Sequence, residues 1–406
     1  MSTEKKKIFN IASDLVFSIA GLMLMNGMLQ LLINPALNKW IGEDAFGNYQ
    51  SIFAVVSIMG TTFGVAANYS RMVRSREKKD QNGDYNIFLT IISVLCLAVA
   101  AGTLYIYKSF SVLHFILLTV LMITTVLRYY GDVNYRIKLN YKGFFVYYAI
   151  ITAGYCLGLL VFKYISEQWM LTFIAGELAA IVFVLLHGDI FKGKKTLTPS
   201  PYFKETMQSV GILSVTNLIS AVAQQSDKII LRLAEGGGAV TTFYVSTLLG
   251  KVVSLLTTPL NGVMIGYLTK YEGKFTKKML AVFTLTLLGL GALALLGCFI
   301  ASEIFVKIFY PDVFEQAQPY FLLANAGQIF YFISNCLMTI ILRIASEKYQ
   351  MYINIIYIII YAATVIPLTI TYSVWGITIA LLITNAAKFI ITTAVGFAKI
   401  RKTVDS

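Results

Sequence analysis

Asp227 and Lys228 are neighbours in a stretch, residues 209–231, that is otherwise apolar enough for the middle of a bilayer. Lys251 lies in the next such stretch, residues 241–266, Glu177 in the sequence IAGELAA within residues 170–187, and Lys388 within residues 375–398. A charged side chain in lipid costs about 2.5–3.5 kcal/mol on insertion scales, so each of these residues needs a partner, a wet cavity or a pathway. Two kinds of chemistry are open to the set. Lysine ammonium groups at similar depth can hold an anionic group as point charges. The two carboxylates, Asp227 and Glu177, can carry a coupling ion, a proton or sodium. Blander readings stand beside these: an Asp227–Lys251 ion pair that only holds helices together, a Lys388 that snorkels toward the inner face, and a Glu177 packed beside small residues against a neighbouring helix. Adjacent residues point about 100° apart around a helix. If Asp227 faces Lys251, Lys228 therefore turns elsewhere, and an anion site shifts toward Lys388 or Arg232.

Other polar residues inside apolar stretches extend the list. Asn26 and Gln30 on the first stretch are candidate substrate contacts. With Asn68, Gln224, Gln225, Asn325, Gln328 and Asn335 they either bind helices to one another or wet a cavity that accepts sugars. Pro35, Pro259 and Pro367 lie in or at the ends of apolar stretches, where a missing N–H can kink a helix; they are candidate hinges or static kinks. Catalytic and metal chemistry find no set to work with. There are two histidines, His114 and His187, both near stretch ends. No phosphate-binding loop, HExxH, nucleophile elbow or paired catalytic carboxylates occur. Cys96, Cys156, Cys298 and Cys336 lack metal-ligand spacing and read as small packing residues. No cofactor is expected; energy would come from an ion gradient, the membrane potential or the substrate's own gradient.

The elements that position these residues follow from composition. Of 406 residues, 57% are hydrophobic and 13% charged, against about a quarter charged in an average soluble domain. Lipid is the solvent for so much apolar surface, and in lipid backbone groups must be satisfied inside helices or closed barrels. The apolar stretches have helix-spanning length, not the alternation of barrel strands. Twelve spans are predicted: 15–34, 48–70, 87–107, 112–130, 144–162, 170–187, 209–231, 241–266, 279–300, 321–343, 350–370 and 375–398. The net charge of +13 points to topology, not to nucleic acid. With the N-terminus inside, 25 Lys and Arg fall in inner segments (residues 5–7, 71–79, 128–142, 192–204, 270–278, 343–348 and 399–402), five fall outside and three within spans. That alternation is the positive-inside rule; attraction to anionic lipid headgroups is a secondary effect. The Lys5–Lys7 start and first span read as retained, since no small-residue cleavage site follows.

The chain reads as two halves: a six-helix lobe over residues 1–190, a Lys- and Pro-containing cytoplasmic linker over 191–208, and a second six-helix lobe over 209–406. Each half opens with a long span and an outer turn that carries acid and glycine, Gly42-Glu43-Asp44 in one and Glu235-Gly236-Gly237-Gly238 in the other. This is a parallel repeat with its axis along the membrane normal. Residues 301–320, with Ile304, Phe305, Ile308 and Phe309 at helical spacing, are expected to lie in the interface.

Four segments carry a resemblance. Trp40-Ile41-Gly42-Glu43-Asp44-Ala45-Phe46-Gly47-Asn48-Tyr49 looks like an "LG-x-x-x-FG-x-Y" turn between spans 1 and 2. Gln225-Ser226-Asp227-Lys228-Ile229-Ile230-Leu231 looks like a "D-[KR]-hydrophobic" segment of span 7, with Phe243-Tyr244 opening span 8. Tyr310-Pro311-Asp312-Val313-Phe314-Glu315-Gln316-Ala317 is similar to a "P-x-[FY]-x-x-A" lead into span 10. Trp375-Gly376-Ile377-Thr378-Ile379-Ala380 is like the "G-[IAL]-x-[IAG]-A" start of span 12. In this order the set resembles the oligosaccharide-lipid flippases of O-antigen and capsular repeat units (Wzx-type), within the multidrug/oligosaccharidyl-lipid/polysaccharide (MOP) exporter superfamily. The glycine-rich 235–238 turn departs from the pattern. The resemblance implies an all-α polytopic membrane protein, MOP/MATE-like, with about 12 helices in two six-helix lobes around a central cavity. It also implies export of an undecaprenyl-diphosphate-linked oligosaccharide across the bacterial cytoplasmic membrane for surface polysaccharide synthesis. The implied partners are that lipid-linked oligosaccharide, membrane lipids, and a polysaccharide polymerase and glycosyltransferases. A cation-coupled drug or small-molecule exporter (an antiporter) of the same fold is the alternative; a membrane glycosyl polymerase is a third reading, which would want a large outer loop with Arg or His residues.

Both termini are expected on the cytoplasmic side. Cysteine labelling of intact cells tests this: Ser109→Cys, in the turn between spans 3 and 4, should react with an impermeant reagent and Ser2→Cys should not.

Overall fold

A computed structural model describes residues 3–75, 77–191, 197–257, 260–261, 264, 273, 275–345 and 347–404. These residues are helical and contain no strand. Eleven helices are long and apolar enough to cross a membrane. The first ten are α1 (Val16–Ile41), α2 (Glu43–Ser75), α3 (Asn82–Ile106), α4 (Val112–Ile137), α5 (Tyr141–Tyr164), α6 (Met170–His187), α7 (Phe203–Glu235), α8 (Gly237–Leu255), α9 (Lys277–Phe309) and α10 (Pro311–Ile341). The eleventh, Lys348–Ile400, contains a reversal: Ser373 takes φ +52° and ψ −129°. Beyond it Gly376 lies so close to Leu368 that an added Cβ would stand 1.8 Å from the Leu368 carbonyl oxygen. The Thr364 and Thr384 hydroxyls also meet at 3.1 Å. The segment is therefore a hairpin of two helices, α11 (348–372) and α12 (374–400), which brings the long apolar helices among the described residues to twelve.

Side chains outside the spans set the helix ends. The Ser111, Asn140 and Thr276 side chains accept the backbone N–H groups of His114, Gly143 and Met279 at the starts of α4, α5 and α9, filling orphan donors of the first turn. Gly236 at φ +101° separates α7 from α8, and Gly42 at φ +81° separates α1 from α2; both conformations favour glycine. Two helices carry a wide turn, at Leu29–Ile33 in α1 and Gly60–Gly64 in α2, with the i→i+5 bonds of a π-helix. The first ends just before buried Pro35, whose ring would clash with the carbonyl four residues back in a regular helix; the extra residue relieves that clash. Pro367 sits inside helix α11 on an exposed face. Pro259 lies outside the described residues.

The chain divides into two compact units, residues 1–37 with 52–226, and residues 38–51 with 227–406. In the first, glycines let helices approach. An added Cβ on Gly158 would lie 2.4 Å from the Thr172 carbonyl oxygen, and one on Gly154 would lie 2.5 Å from Gly176 Cα. α5 and α6 therefore meet backbone to backbone, as small residues permit in membranes. In the second unit, Leu231, Val240, Phe243, Val365, Ile377 and Leu381 bury one another where α7, α8, α11 and α12 meet. Leu280, Ile329, Ile333 and Ile340 do the same for α9 and α10. Large apolar side chains such as Ile91 and Val94 on α3, and Leu285, Leu293 and Leu296 on α9, are exposed; lipid is their solvent.

Residues 301–309, expected to lie in the interface, are the last turns of α9, which runs unbroken to Phe309 over 33 residues. The apolar Ile304 and Ile308 continue its exposed stripe, and the chain turns only at Pro311, the first residue of the next helical segment.

The α11–α12 hairpin generates a prediction. Gly376→Ala should force the Leu368 backbone aside, an overpacking cost of about 1–3 kcal/mol. Thermal unfolding in detergent should register it as a Tm lowered by about 2–6 °C.

Candidate functional site

In the second unit, the described residues gather the basic side chains singled out in the sequence. Asp227 is 5% exposed and its Oδ2 lies 3.7 Å from Lys251 Nζ. Its Oδ1 accepts the backbone N–H of Lys228 at 2.8 Å. Asp227 and Lys251 thus form the ion pair expected from their depth, and Lys228 points elsewhere: its Nζ lies 5.9 Å from the Tyr244 ring centre, within electrostatic reach of Lys251. Lys251 Nζ also lies 5.3 Å from the Phe243 ring centre, and its side chain keeps 28% exposure.

Lys388 does not snorkel. It is 5% exposed, donates from Nζ to Asn335 Oδ1 at 2.9 Å, and sits 5.1 Å and 4.8 Å from the ring centres of Tyr331 and Tyr357. The rings' negative faces and one amide oxygen support the ammonium group. Among the described residues no carboxylate lies within ion-pair distance of it. Tyr357 stands within electrostatic reach of Asp227 and links the α7–α8 charges to the α12 lysine. Three lysines therefore share one unit with a single buried carboxylate near them. Asn335, Tyr331 and Tyr357 have no charge to advertise them in the sequence; a lysine in mid-span with an amide on a neighbouring span was the available signal.

Arg232 lies higher on α7 and donates to Asn48 Oδ1. It belongs to an outer turn held by short bonds. Asp44 Oδ1 accepts the N–H groups of Gly237 and Gly238 at 3.0 and 3.2 Å, its Oδ2 accepts Asn48 Nδ2, and Thr241 donates to the Glu43 carbonyl at 2.7 Å. The Glu43 carboxylate accepts from Gln316 Nε2 at 3.2 Å. Beneath them Phe46 packs on Tyr49, Tyr244 and Tyr310. These contacts explain why residues 38–51 belong to this unit.

In the first unit Glu177, 1% exposed, pairs through Oε2 with Arg128 Nε at 2.7 Å and accepts the Tyr155 hydroxyl at 2.8 Å. Arg128 also lies 3.9 Å from the Tyr129 ring centre, and its carbonyl accepts the Tyr147 hydroxyl. One helical turn further on, Asp132 takes two N–H groups of Arg136 at 2.9 and 3.1 Å, the Tyr148 hydroxyl at 3.1 Å and the Asn68 amide. The sequence counted Arg128 among inner-surface charges; the structure buries it at 5% exposure inside α4. Arg71 and Arg74 are likewise buried and bound within the protein: Arg71 by Tyr130, Asn82 and the Ile190 carbonyl, Arg74 by Glu205 at 3.2 Å. They serve protein partners, not lipid headgroups. Asn26 donates to the Leu22 carbonyl of its own helix at 2.8 Å, and Gln30 is half-buried in the wide turn of α1.

The arrangement compares with known proteins through its fold. The multidrug resistance MATE transporter of the MOP superfamily in its inward-facing conformation superposes with a TM-score of 0.65 at 12% identity, over 96% of this chain and 98% of that one. The lipid II flippase MurJ, inward closed, gives 0.66 at 14% identity over 96% and 87%. The fold is that of the MOP-superfamily transporters. A MOP transporter from Pyrococcus furiosus, described by the reversed polarity of its binding pocket, gives 0.57 at 13% identity over 98% and 95%. No family model matches the chain, and no curated protein sequence does. The chain is a multi-pass membrane protein with this fold.

Removing one partner of a buried pair strands the other charge, at a cost of about 3–5 kcal/mol. Glu177→Gln, which leaves Arg128 buried and unpaired, should lower Tm in detergent by roughly 5–10 °C.

Proposed function

We propose that this protein is a flippase that moves a polyprenyl-diphosphate-linked oligosaccharide across the bacterial cytoplasmic membrane, for surface polysaccharide synthesis. The observation that carries the reading is the excess of cation over carboxylate within the spans of the second unit: buried Lys388 with half-buried Lys228 and Lys251, against Asp227 alone among the described residues. A charge left uncompensated in a dry interior neutralises itself or meets water or a counter-ion. A diphosphate headgroup is such a counter-ion, and lysines serve phosphate as point charges. The Asp227–Lys251 distance of 3.7 Å is longer than the usual 2.7–2.9 Å of a charge-assisted hydrogen bond, so Lys251 keeps capacity for a second partner. Arg232, Asn26 and Gln30 are further candidate contacts, to the sugar or the headgroup.

The likeness in fold to a lipid II flippase supports a lipid-linked cargo. The likeness to multidrug transporters supports the drug-exporter alternative equally as far as fold goes. Charge favours the lipid-linked cargo, since a cationic drug in the second unit would face three ammonium groups and one carboxylate. A polyprenyl chain can remain in lipid while the sugar crosses, which separates the polar cost of crossing from the apolar tail.

The experiment is charge removal at nearly constant size. Lys228→Gln/Lys251→Gln should reduce export of the repeat unit by about tenfold or more, on the scale of one lost charge-assisted contact per lysine, with normal membrane abundance. Normal export in the double variant removes the site. A loss of abundance confined to Lys251→Gln assigns that residue to the structural ion pair alone.

A further inference from the structure

We infer that Asp132, Glu177 and Asp227, the carboxylates buried within spans among the described residues, are counter-ions of fixed cations and carry no coupling ion, so that they tie transport to neither a proton nor a sodium gradient. The choice of cargo in the test rests on the flippase reading; the geometry does not.

Four carboxylates are buried among the described residues: Asp84, Asp132, Glu177 and Asp227. An acid that couples transport to a cation must be open to that cation in one state and give it up in another. Glu177 has Arg128 at 2.7 Å and the Tyr155 hydroxyl at 2.8 Å, and the other groups facing it are Thr125 and Tyr147. A guanidinium does not release its proton. A proton that loaded Glu177 would therefore leave Arg128 as a bare charge in a dry interior, which is strongly unfavourable. Asp132 is closed in the same way by both N–H groups of Arg136, with Tyr148 and Asn68 on its remaining lone pairs.

Asp227 is closed by charge. Lys251 lies 3.7 Å away, Lys228 is its neighbour and donates a backbone N–H to it, and Tyr357 leads from it to Lys388. A sodium ion or proton that approaches this carboxylate meets an environment that is positive on balance, and like charges in a medium of low dielectric repel strongly. Asp84, in the first turn of α3, is filled by the Ser200 N–H at 2.8 Å, the Ser200 hydroxyl at 2.6 Å and the Thr206 hydroxyl at 3.4 Å. It ties residues 200–206 to α3 and lies at the helix end, off any path through the spans.

An ion bound equally in all states shifts no equilibrium. The driving force left to these spans is the cargo's own gradient between the leaflets or the membrane potential acting on its charge.

The full chain in proteoliposomes, with a fluorescent polyprenyl diphosphate disaccharide as probe and dithionite quenching of the outer leaflet as readout, tests this. Flipping rates with no gradient, with an imposed pH difference and with an imposed sodium difference should agree within about twofold. Acceleration by about tenfold or more under either gradient, lost in Glu177→Gln or Asp227→Asn, overturns the inference while leaving the cargo reading in place. No flipping under any condition overturns the cargo reading alone; the counter-ion assignment is then read from stability, where Glu177→Gln should lower Tm and Arg128→Met/Glu177→Met should restore it, and a double variant no more stable than Glu177→Gln overturns the assignment. A second variant separates counter-ion from carrier. Arg128→Met/Glu177→Met removes both charges together, so it should fold and flip within about threefold of the parent chain, as replaced buried pairs often do. A folded double variant that no longer flips the probe overturns the inference.

Discussion

A charge that leaves water for a membrane protein's interior must be met there by another group, and most of the polar architecture of this chain answers that requirement. Arg128 and Glu177 satisfy it between themselves, Arg136 does so for Asp132, and Arg71 draws on a tyrosine, an amide and a carbonyl. The Arg128 and Arg71 solutions join different spans, whereas Arg136 meets Asp132 within α4 and it is Tyr148 and Asn68 that bring α5 and α2 to that carboxylate. Lys388 is the exception that gives the second unit its character. Its support is two aromatic faces and one amide oxygen, enough to tolerate the charge but not to cancel it.

Backbone proximity makes these pairings possible. Glu177 reaches Tyr155 because Gly154, Gly158 and Gly176 bring α5 and α6 together without intervening Cβ atoms. The wide turn at Gly60–Gly64 does the same for α2 and α4: an added Cβ on Gly64 would stand 2.5 Å from the Val126 carbonyl oxygen. Wide turns insert one residue and rotate everything beyond them. Asn68, four residues after the second, consequently faces Asp132.

The long apolar helices of the described residues and the fold class were legible in the sequence because both depend on sums over many residues. Apolar length and the alternation of Lys and Arg tolerate local errors. The Asp227–Lys251 pair was legible too, since depth along two consecutive helices fixes which side chains can meet. Arg128 was not. It stands three residues from Gly131 at the inner end of an apolar run, where a basic residue ordinarily marks the surface, and nothing local distinguishes it from Arg136 or Lys138. Only the tertiary position of Glu177 reveals it. The surroundings of Lys388 were hidden for a similar reason: tyrosines and asparagines in spans are common, and their convergence depends on how α10, α11 and α12 rotate. That residues 301–309 continue α9 was not legible, because a helix's lipid-facing stripe and an interfacial stripe have the same periodicity.

The outer turn has a consequence for how such a sequence can change over generations. Gly47 and Gly237 are 190 positions apart, yet a Cβ on Gly47 would fall 1.7 Å from the Gly237 carbonyl oxygen, and one on Gly237 would fall 2.1 Å from that of Asp44. With Asp44 bonded to two successive glycine N–H groups, these positions form one heritable character. A side chain gained on either strand of the clasp closes off the permitted substitutions on the other. Among descendants of this sequence the two segments should drift together or not at all, and the glycine-rich 236–238 run, near the middle of the gene, is then half of a lock whose other half was inherited from near its start.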